Sequence, residues 1–213
     1  MITVIANLKG GSGKSTVTFN LGIWLCHRDK TVVAYDLDPQ QTLKDVAQVR
    51  IEDEVEPVFQ VYRLAEDDPV VEMLTRHRGE VLVDVGASNM DAMREAVRVA
   101  TRVLIPVPPG QPDVWATQRF LHGLFEDRSD RSTEIIAFIN RADTHHAVRE
   151  SDEAEEALRQ IDGLQVLPHR LCQRTPYRRS LSEGLSVIEL SAKSKSAREF
   201  DQFARALYPD TGH

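Results

Sequence analysis

The stretch Ile2-Thr3-Val4-Ile5-Ala6-Asn7-Leu8-Lys9-Gly10-Gly11-Ser12-Gly13-Lys14-Ser15-Thr16 decides how this chain folds. Ile2–Ala6 is a short, continuous apolar run of the kind that forms a strand buried on both faces. A glycine-rich loop follows directly, and a helical pattern runs from Lys14 to about Cys26. Glycine at positions 10, 11 and 13 lets the backbone curl, so that the N–H groups of Gly10, Gly11, Ser12 and Gly13 converge where the positive end of the following helix also points. Strand, loop and helix together hold a polyphosphate. In that arrangement Lys14 lies along the β- and γ-phosphates, Ser15 offers its hydroxyl to Mg2+, and Thr16 is placed for the α-phosphate. A dinucleotide cofactor is disfavoured, because Thr16 stands where the G-x-G-x-x-G pattern needs its third glycine.

Outward from the loop, strand-like runs at Thr31–Tyr35, Val81–Val85, Val103–Val107, Glu134–Ile139 and Leu164–Leu167 alternate with helical stretches. The predicted fold is α/β: a doubly wound, mainly parallel sheet with helices on both faces. Val55–Val61 is read as a further strand and Pro69–Arg78 as a short helix. In the last helix, Ala197–Leu207, the residues Phe200, Phe203, Ala204 and Leu207 share an apolar face. Glu199, Asp201 and Gln202 accompany Arg198 and Arg205 opposite, so this face is expected to dock onto the sheet rather than onto a membrane. No repeat, low-complexity tract or linker divides the chain, and residues 1–213 are read as a single domain.

At 41% hydrophobic and 28% charged residues, the composition is that of a globular protein with a sizeable core, which excludes disordered, collagen-like and coiled-coil readings. No apolar run approaches the ~20 residues of a membrane span, and the first residues lack the layout of a signal peptide, so a cytoplasmic location is expected. Cys26 and Cys172 form no C-x-x-C pair and read as two reduced thiols. The formal charge of −7 argues against a uniformly basic nucleic-acid surface. Acidic clusters at Glu52–Glu56, Glu66–Asp68 and Glu150–Glu156 read as solvated loops or exposed helix faces. Trp24 and Trp115 read as core or interface, and His145 and His146 as exposed helix-start residues.

The loop departs from the common phosphate-loop pattern in two ways. Leu8 stands where a glycine is usual, and Lys9 adds a second lysine. An ammonium at the loop entrance cannot easily reach its own nucleotide, but it could reach one held by a facing subunit. Through Asn7–Thr16 the sequence resembles the deviant Walker A ATPases of the ParA/MinD family, and the resemblance covers nearly the whole chain. Asp36-Leu37-Asp38-Pro39-Gln40 is similar to that family's D-x-D-P-Q segment, and Val81–Ala87 to its Walker B strand, ending in Gly86-Ala87 where a double proline is frequent. Ile105–Ala116 is similar to the segment that follows, and Asn140-Arg141 to the adenine-side N-R pair. The compact size and the stretch Cys172–Glu189 are most similar to the short, ParF-like ParA proteins, which lack an N-terminal DNA-binding domain.

The resemblance implies an ATP-bound sandwich homodimer in which Lys9 crosses to the partner's nucleotide, with Lys9 and Lys14 compensating phosphate charge. It implies that Asp38 orients the attacking water, and that Asp36 and Asp84 hold Mg2+ through water beside Ser15. Asn140 would bond the adenine edge with Arg141 beside it, and the loop at Pro168 would approach the base from the other side. Each of these has a plainer reading: an Asp or Asn at a strand end also caps helices and makes turns.

Charge is uneven along the chain. From Pro168 to Arg205 eight positive side chains stand against four negative, so the net −7 divides into +4 there and −11 elsewhere. Arg170, Arg174, Arg178, Arg179, Lys193 and Lys195 are the candidate contacts to nonspecific DNA, since sequence-independent binding needs only such clusters. The implied activity is a weak, Mg2+-dependent ATP hydrolase. Its ATP dimer would bind the nucleoid and position or segregate a cargo, either a plasmid or chromosome or a protein compartment such as a carboxysome. A ParB-like or cargo-adaptor partner would stimulate hydrolysis. A MinD-like membrane-associated regulator is the alternative, weakened by the absence of a basic amphipathic last helix. An iron–sulfur ATPase would need cysteines close behind the Walker B strand, and Lys9 disfavours a small-molecule kinase.

Overall fold

The computed structural model describes residues 1–65, 67–127, 132–145 and 149–209; Glu66 and His146, both singled out from the sequence, lie outside them. The elements run β1 (Ile2–Ile5), α1 (Lys14–Cys26), β2 (Val32–Asp36), α2 (Thr42–Glu52), β3 (Gln60–Arg63), α3 (Val70–Thr75), β4 (Glu80–Asp84), α4 (Met90–Arg98), β5 (Arg102–Val107), α5 (Gln111–Asp127), β6 (Glu134–Ala142), α6 (Glu150–Arg159), β7 (Gln165–Val166), β8 (Leu171–Cys172), α7 (Thr175–Glu183), α8 (Val187–Leu190) and α9 (Lys195–Leu207). The strands pair in the order β3-β2-β4-β1-β5-β6-β7, every pair is parallel, and β8 joins the far end of β6.

Alternation along the central strands divides the core between the two faces of the sheet. Val4, Val81, Val83, Val103 and Ile105 pack with α3, α4, α5 and α6 on one side. Ile5, Leu82, Leu104, Ile136 and Phe138 pack with α1, α2, α8 and α9 on the other. Central parallel strands are apolar on both faces for this reason, and the five principal runs were legible from it. Crossovers α1 and α2 lead toward the β3 edge on one face, whereas α4, α5 and α6 lead toward the β7 edge on the other, so the carboxyl end of β1 faces a crevice at the reversal point, where such sheets bind ligands.

Four expectations are corrected. The edge strand lies at Gln60–Arg63, because pairing with Val33–Asp36 selects that segment. Val58 is instead 52% exposed, while Phe59 plugs the sheet against Gly22, whose missing Cβ would stand 2.2 Å from the ring. The run predicted at Leu164–Leu167 contributes only the two paired residues of β7. Glu155, in an acidic cluster read as exposed, is buried between Arg159 and Arg170. The last helix begins at Lys195, where Ser194 caps it through the Ala197 N–H. Its face of Phe200, Phe203, Ala204 and Leu207 is buried on the sheet as expected.

Candidate nucleotide-binding site

The loop between β1 and α1 is held from below and from one side. Asn7, fully buried, donates to the Pro106 carbonyl at 2.8 Å and accepts from the Lys9 N–H at 3.0 Å, which turns the chain out of the strand. On the flank, the Asn140 amide donates to the Ser12 carbonyl at 2.6 Å and Arg141 donates to the Gly11 carbonyl at 2.8 Å. Gly13 has φ +93°, and a Cβ there would lie 2.4 Å from Asn140 Nδ2, so conformation and space both require glycine. The carbonyls of Gly11 and Ser12 are thus both engaged by side chains of β6. Among the described residues nothing engages the N–H groups of Gly10, Gly11, Ser12 or Gly13. Helix α1 has no side-chain cap and no acidic residue in its first turn, which leaves its positive end open to an anion.

Lys14 is buried at the start of α1, its ammonium 3.5 Å from the Lys9 carbonyl. Lys9 does not project from the loop entrance but pairs with Asp113 of α5 at 2.8 Å. Sequence reasoning passed over Asp113; its place at the start of a helix, in the segment Pro108–Val114, was the available signal.

The acidic residues gather through the sheet register. Asp84 pairs with Ile5 on β1 and with Asp36 on β2, so the two carboxylates sit side by side at the carboxyl ends of their strands. Asp36 accepts from the Asp38 N–H at 3.1 Å and the Lys44 N–H at 2.9 Å; it therefore serves the start of α2 as well, and burial raises it above the ordinary carboxylate range. Asp38 accepts from the Gln40 N–H at 2.9 Å and packs on Gly86, where a Cβ would stand 2.6 Å from its carboxyl carbon. Asp84 is fully buried, and neither of its oxygens has a hydrogen-bond partner. Burial pushes it up to about 7; the Ser15 hydroxyl lies near enough to ease the charge, but outside hydrogen-bond geometry. A buried, unpaired carboxylate beside Ser15 and Lys14 fits a divalent cation. Among the described residues no trio of His, Cys, Asp or Glu converges as a self-sufficient metal cage. That suits Mg2+, which takes one or two protein groups and draws the rest of its shell from phosphates and water.

Beside the loop opens a cleft of about 680 Å3, lined by Gly13, Thr16, Asn140, Arg141, the segment Leu171–Thr175 and one face of α7. Of the predicted base-side residues, Asn140 and Arg141 border it, whereas Pro168 does not; β8 and the start of α7 form that wall. The predicted basic surface is partly neutralised. Arg170 pairs with Asp152 and Glu155, Arg174 with Glu199, and Arg179 with Glu183. Lys193 and Lys195 are exposed and unpaired among the described residues, and Arg178 lines the cleft. Trp24 is core, its indole N–H donating to Asp201, while Trp115 is 53% exposed on α5.

Residues 3–187 match the family described as the CobQ/CobB/MinD/ParA nucleotide binding domain. The chain is 27% identical to the "Maintenance of carboxysome distribution protein A" of Halothiobacillus neapolitanus, over 96% of this chain and 95% of that protein. It is 23% identical to protein ParA of Rhizobium radiobacter, over 97% and 96% of the two chains. The septum site-determining protein MinD of Pyrococcus horikoshii, solved as its Mg-ADP complex, has the same fold with a TM-score of 0.71 at 20% identity, over 97% of this chain and 95% of that one.

Proposed function

We propose that this chain, which belongs to the CobQ/CobB/MinD/ParA nucleotide-binding domain family, is a ParA-type ATPase in which residues 1–213 act as one domain. It dimerises on ATP, binds nonspecific DNA in that state and positions a cargo, and a partner protein on the cargo triggers hydrolysis and release. The observation that carries the chemistry is the buried, unpaired Asp84 carboxylate beside Ser15 and Lys14, under a loop whose N–H groups are free. That set favours the polyphosphate of ATP over a neutral ligand.

Ser15 and Asp84, with Asp36 behind, would hold Mg2+. When bound, the ion neutralises charge on the β- and γ-phosphate oxygens. The loop N–H groups and Lys14 bind and orient the phosphates, and Asn140 and Arg141 brace the loop that does so. Asp38, fixed by the Gln40 N–H and the close approach of Gly86, orients a water for in-line attack. Lys9 supplies the second ammonium once it leaves Asp113 and meets the nucleotide of a facing subunit. Turnover by the monomer is accordingly slow, because its own Lys9 is turned toward α5.

DNA contact falls to the unpaired Lys193 and Lys195, with the ion-paired Arg170, Arg174 and Arg179 adding a milder field. The protein works in the cytoplasm over the nucleoid. The relatives named for carboxysome distribution and for ParA support positioning, with a plasmid, a chromosome or a protein compartment as cargo. A membrane-bound regulator is disfavoured, because the apolar face of α9 is buried on the sheet. The test is retention of the protein on random-sequence DNA with ATP, ADP or no nucleotide, with and without Mg2+. Binding that requires Mg2+ and ATP supports the reading; binding indifferent to nucleotide, or absent throughout, sinks the switch.

A further inference from the structure

Three cations line the nucleotide cleft. Arg141 is held by the Gly11 carbonyl and Arg174 by Glu199, which leaves Arg178 without a hydrogen bond or ion pair among the described residues. Its place is fixed by periodicity: Arg174, Tyr177, Arg178 and Leu181 all line the cleft, the i, i+3, i+4, i+7 stripe of one helix face. Arg179 lies off that stripe and bonds Glu183.

A buried amide ties this stripe to the phosphate loop. Asn20 of α1 donates to the Thr16 carbonyl at 2.9 Å and to Ser180 Oγ at 2.9 Å, and accepts from the Val187 N–H at 2.7 Å. The first turn of α1, α7 and the start of α8 are thereby fastened at one point. Arg178, two residues from Ser180, opens into the same cleft as Thr16.

We propose that Arg178 is a nucleotide ligand of its own subunit, placed with Thr16 for the α-phosphate. The proposal rests on the nucleotide-binding reading above and deepens it. An unpaired guanidinium on a cleft wall beside a phosphate loop gains its partner from the ligand, and a charge-assisted bond to phosphate is among the stronger polar contacts. Because the α-phosphate is common to ATP and ADP, Arg178 serves both states of the cycle equally and does not sense the γ-phosphate. Its charge is then not free for DNA while nucleotide is bound.

The test is calorimetric titration of Mg-ADP and Mg-AMPPNP into the wild type, Arg178→Ala and Arg179→Ala, all without DNA. Both arginines are exposed, so both variants fold. Arg178→Ala is expected to weaken both nucleotides by about tenfold and by the same factor, with Arg179→Ala within about twofold of the wild type. Unchanged affinity in Arg178→Ala beside a wild type that binds would overturn the proposal and leave the nucleotide reading standing. A loss confined to AMPPNP would overturn the α-phosphate assignment. A wild type that binds neither nucleotide would overturn both the reading and the proposal.

Discussion

The Lys9 ammonium lies 2.8 Å from the Asp113 carboxylate, so the lysine that distinguishes this loop is held within its own chain. The Lys9 side chain is 45% exposed and can swing into solvent, whereas Asp113 at 9% is largely buried and would lose its cation, so the pair restrains Lys9 through the carboxylate. Asp113→Asn should therefore release Lys9 and lower the protein concentration at which AMPPNP drives dimerisation, by roughly two- to fivefold. Adding Lys9→Ala should cancel the gain. Sedimentation with and without AMPPNP measures it; an Asp113→Asn protein that dimerises no more readily would show that the pair restrains nothing.

Gly86, just past β4, lies against Asp38, the carboxylate proposed to orient the attacking water. A methyl at this position would stand 2.6 Å from the Asp38 carboxyl carbon and 2.8 Å from both oxygens, so Gly86→Ala must push that carboxylate aside. Turnover is expected to fall about tenfold while nucleotide affinity stays put, since misplacement of a positioning group costs rate rather than binding. Asp38→Ala should go further, losing about a hundredfold or more and accumulating the ATP-bound dimer. Hydrolysis by Asp38→Ala at the wild-type rate would remove Asp38 from the mechanism.

What the sequence disclosed followed from how local each signal was. Gly10 to Thr16 could be read directly because the glycines, lysine and hydroxyls that build a phosphate loop are contiguous. Asp36 and Asp84 were legible as strand-end carboxylates, but only the β2–β4 register puts them side by side. The same limit hid the partners Asp152, Glu155 and Glu199, which lie far from Arg170 and Arg174 in sequence and neutralise much of a surface that composition made basic. Strand β8, two residues long, has no periodicity to detect, and its residues Leu171 and Cys172 line the cleft where the Pro168 loop does not. Asn20 escaped notice because a buried Asn inside an apolar helix looks like a flaw until its three partners, all but Thr16 distant in sequence, are in place.

Asp84 gives the metal-free protein a pH signature. Burial holds its carboxyl at about 7 in the fold, against 3.8 in the unfolded chain. Between those values the folded state keeps a proton that the unfolded state has lost, so stability falls as pH rises from about 4 to about 7 and levels off above. Asp84→Asn removes this slope. Without Mg2+ or nucleotide, Asp84→Asn should melt above the wild type at pH 8, by a margin on the order of 2–4 kcal/mol, and the gap should close toward pH 4. Mg-ADP should raise the melting temperature of the wild type more than that of Asp84→Asn. A gap that does not depend on pH would mean that Asp84 is not the titrating group.

The clamp at Asn20 is testable by comparing its two ends. Asn20→Ala leaves Ser180 Oγ and the Val187 N–H without this partner in a buried setting, while the Thr16 carbonyl keeps its bond from the residue-20 N–H within α1; buried polar groups left unpaired cost about 1–3 kcal/mol each, less what relaxation and water recover. Urea unfolding of Asn20→Ala should show a loss of about 2–4 kcal/mol with an unchanged m-value. Ser180→Ala removes one acceptor and leaves the Thr16 and Val187 bonds intact, so its loss should stay near 1 kcal/mol. If α7 is held against the phosphate loop by this amide, Asn20→Ala should also weaken Mg-ADP under conditions where the variant remains folded, because it frees the helix that carries Arg178. Equal losses of stability in the two variants, with Mg-ADP affinity unchanged in both, would reduce Asn20 to one more buried hydrogen bond.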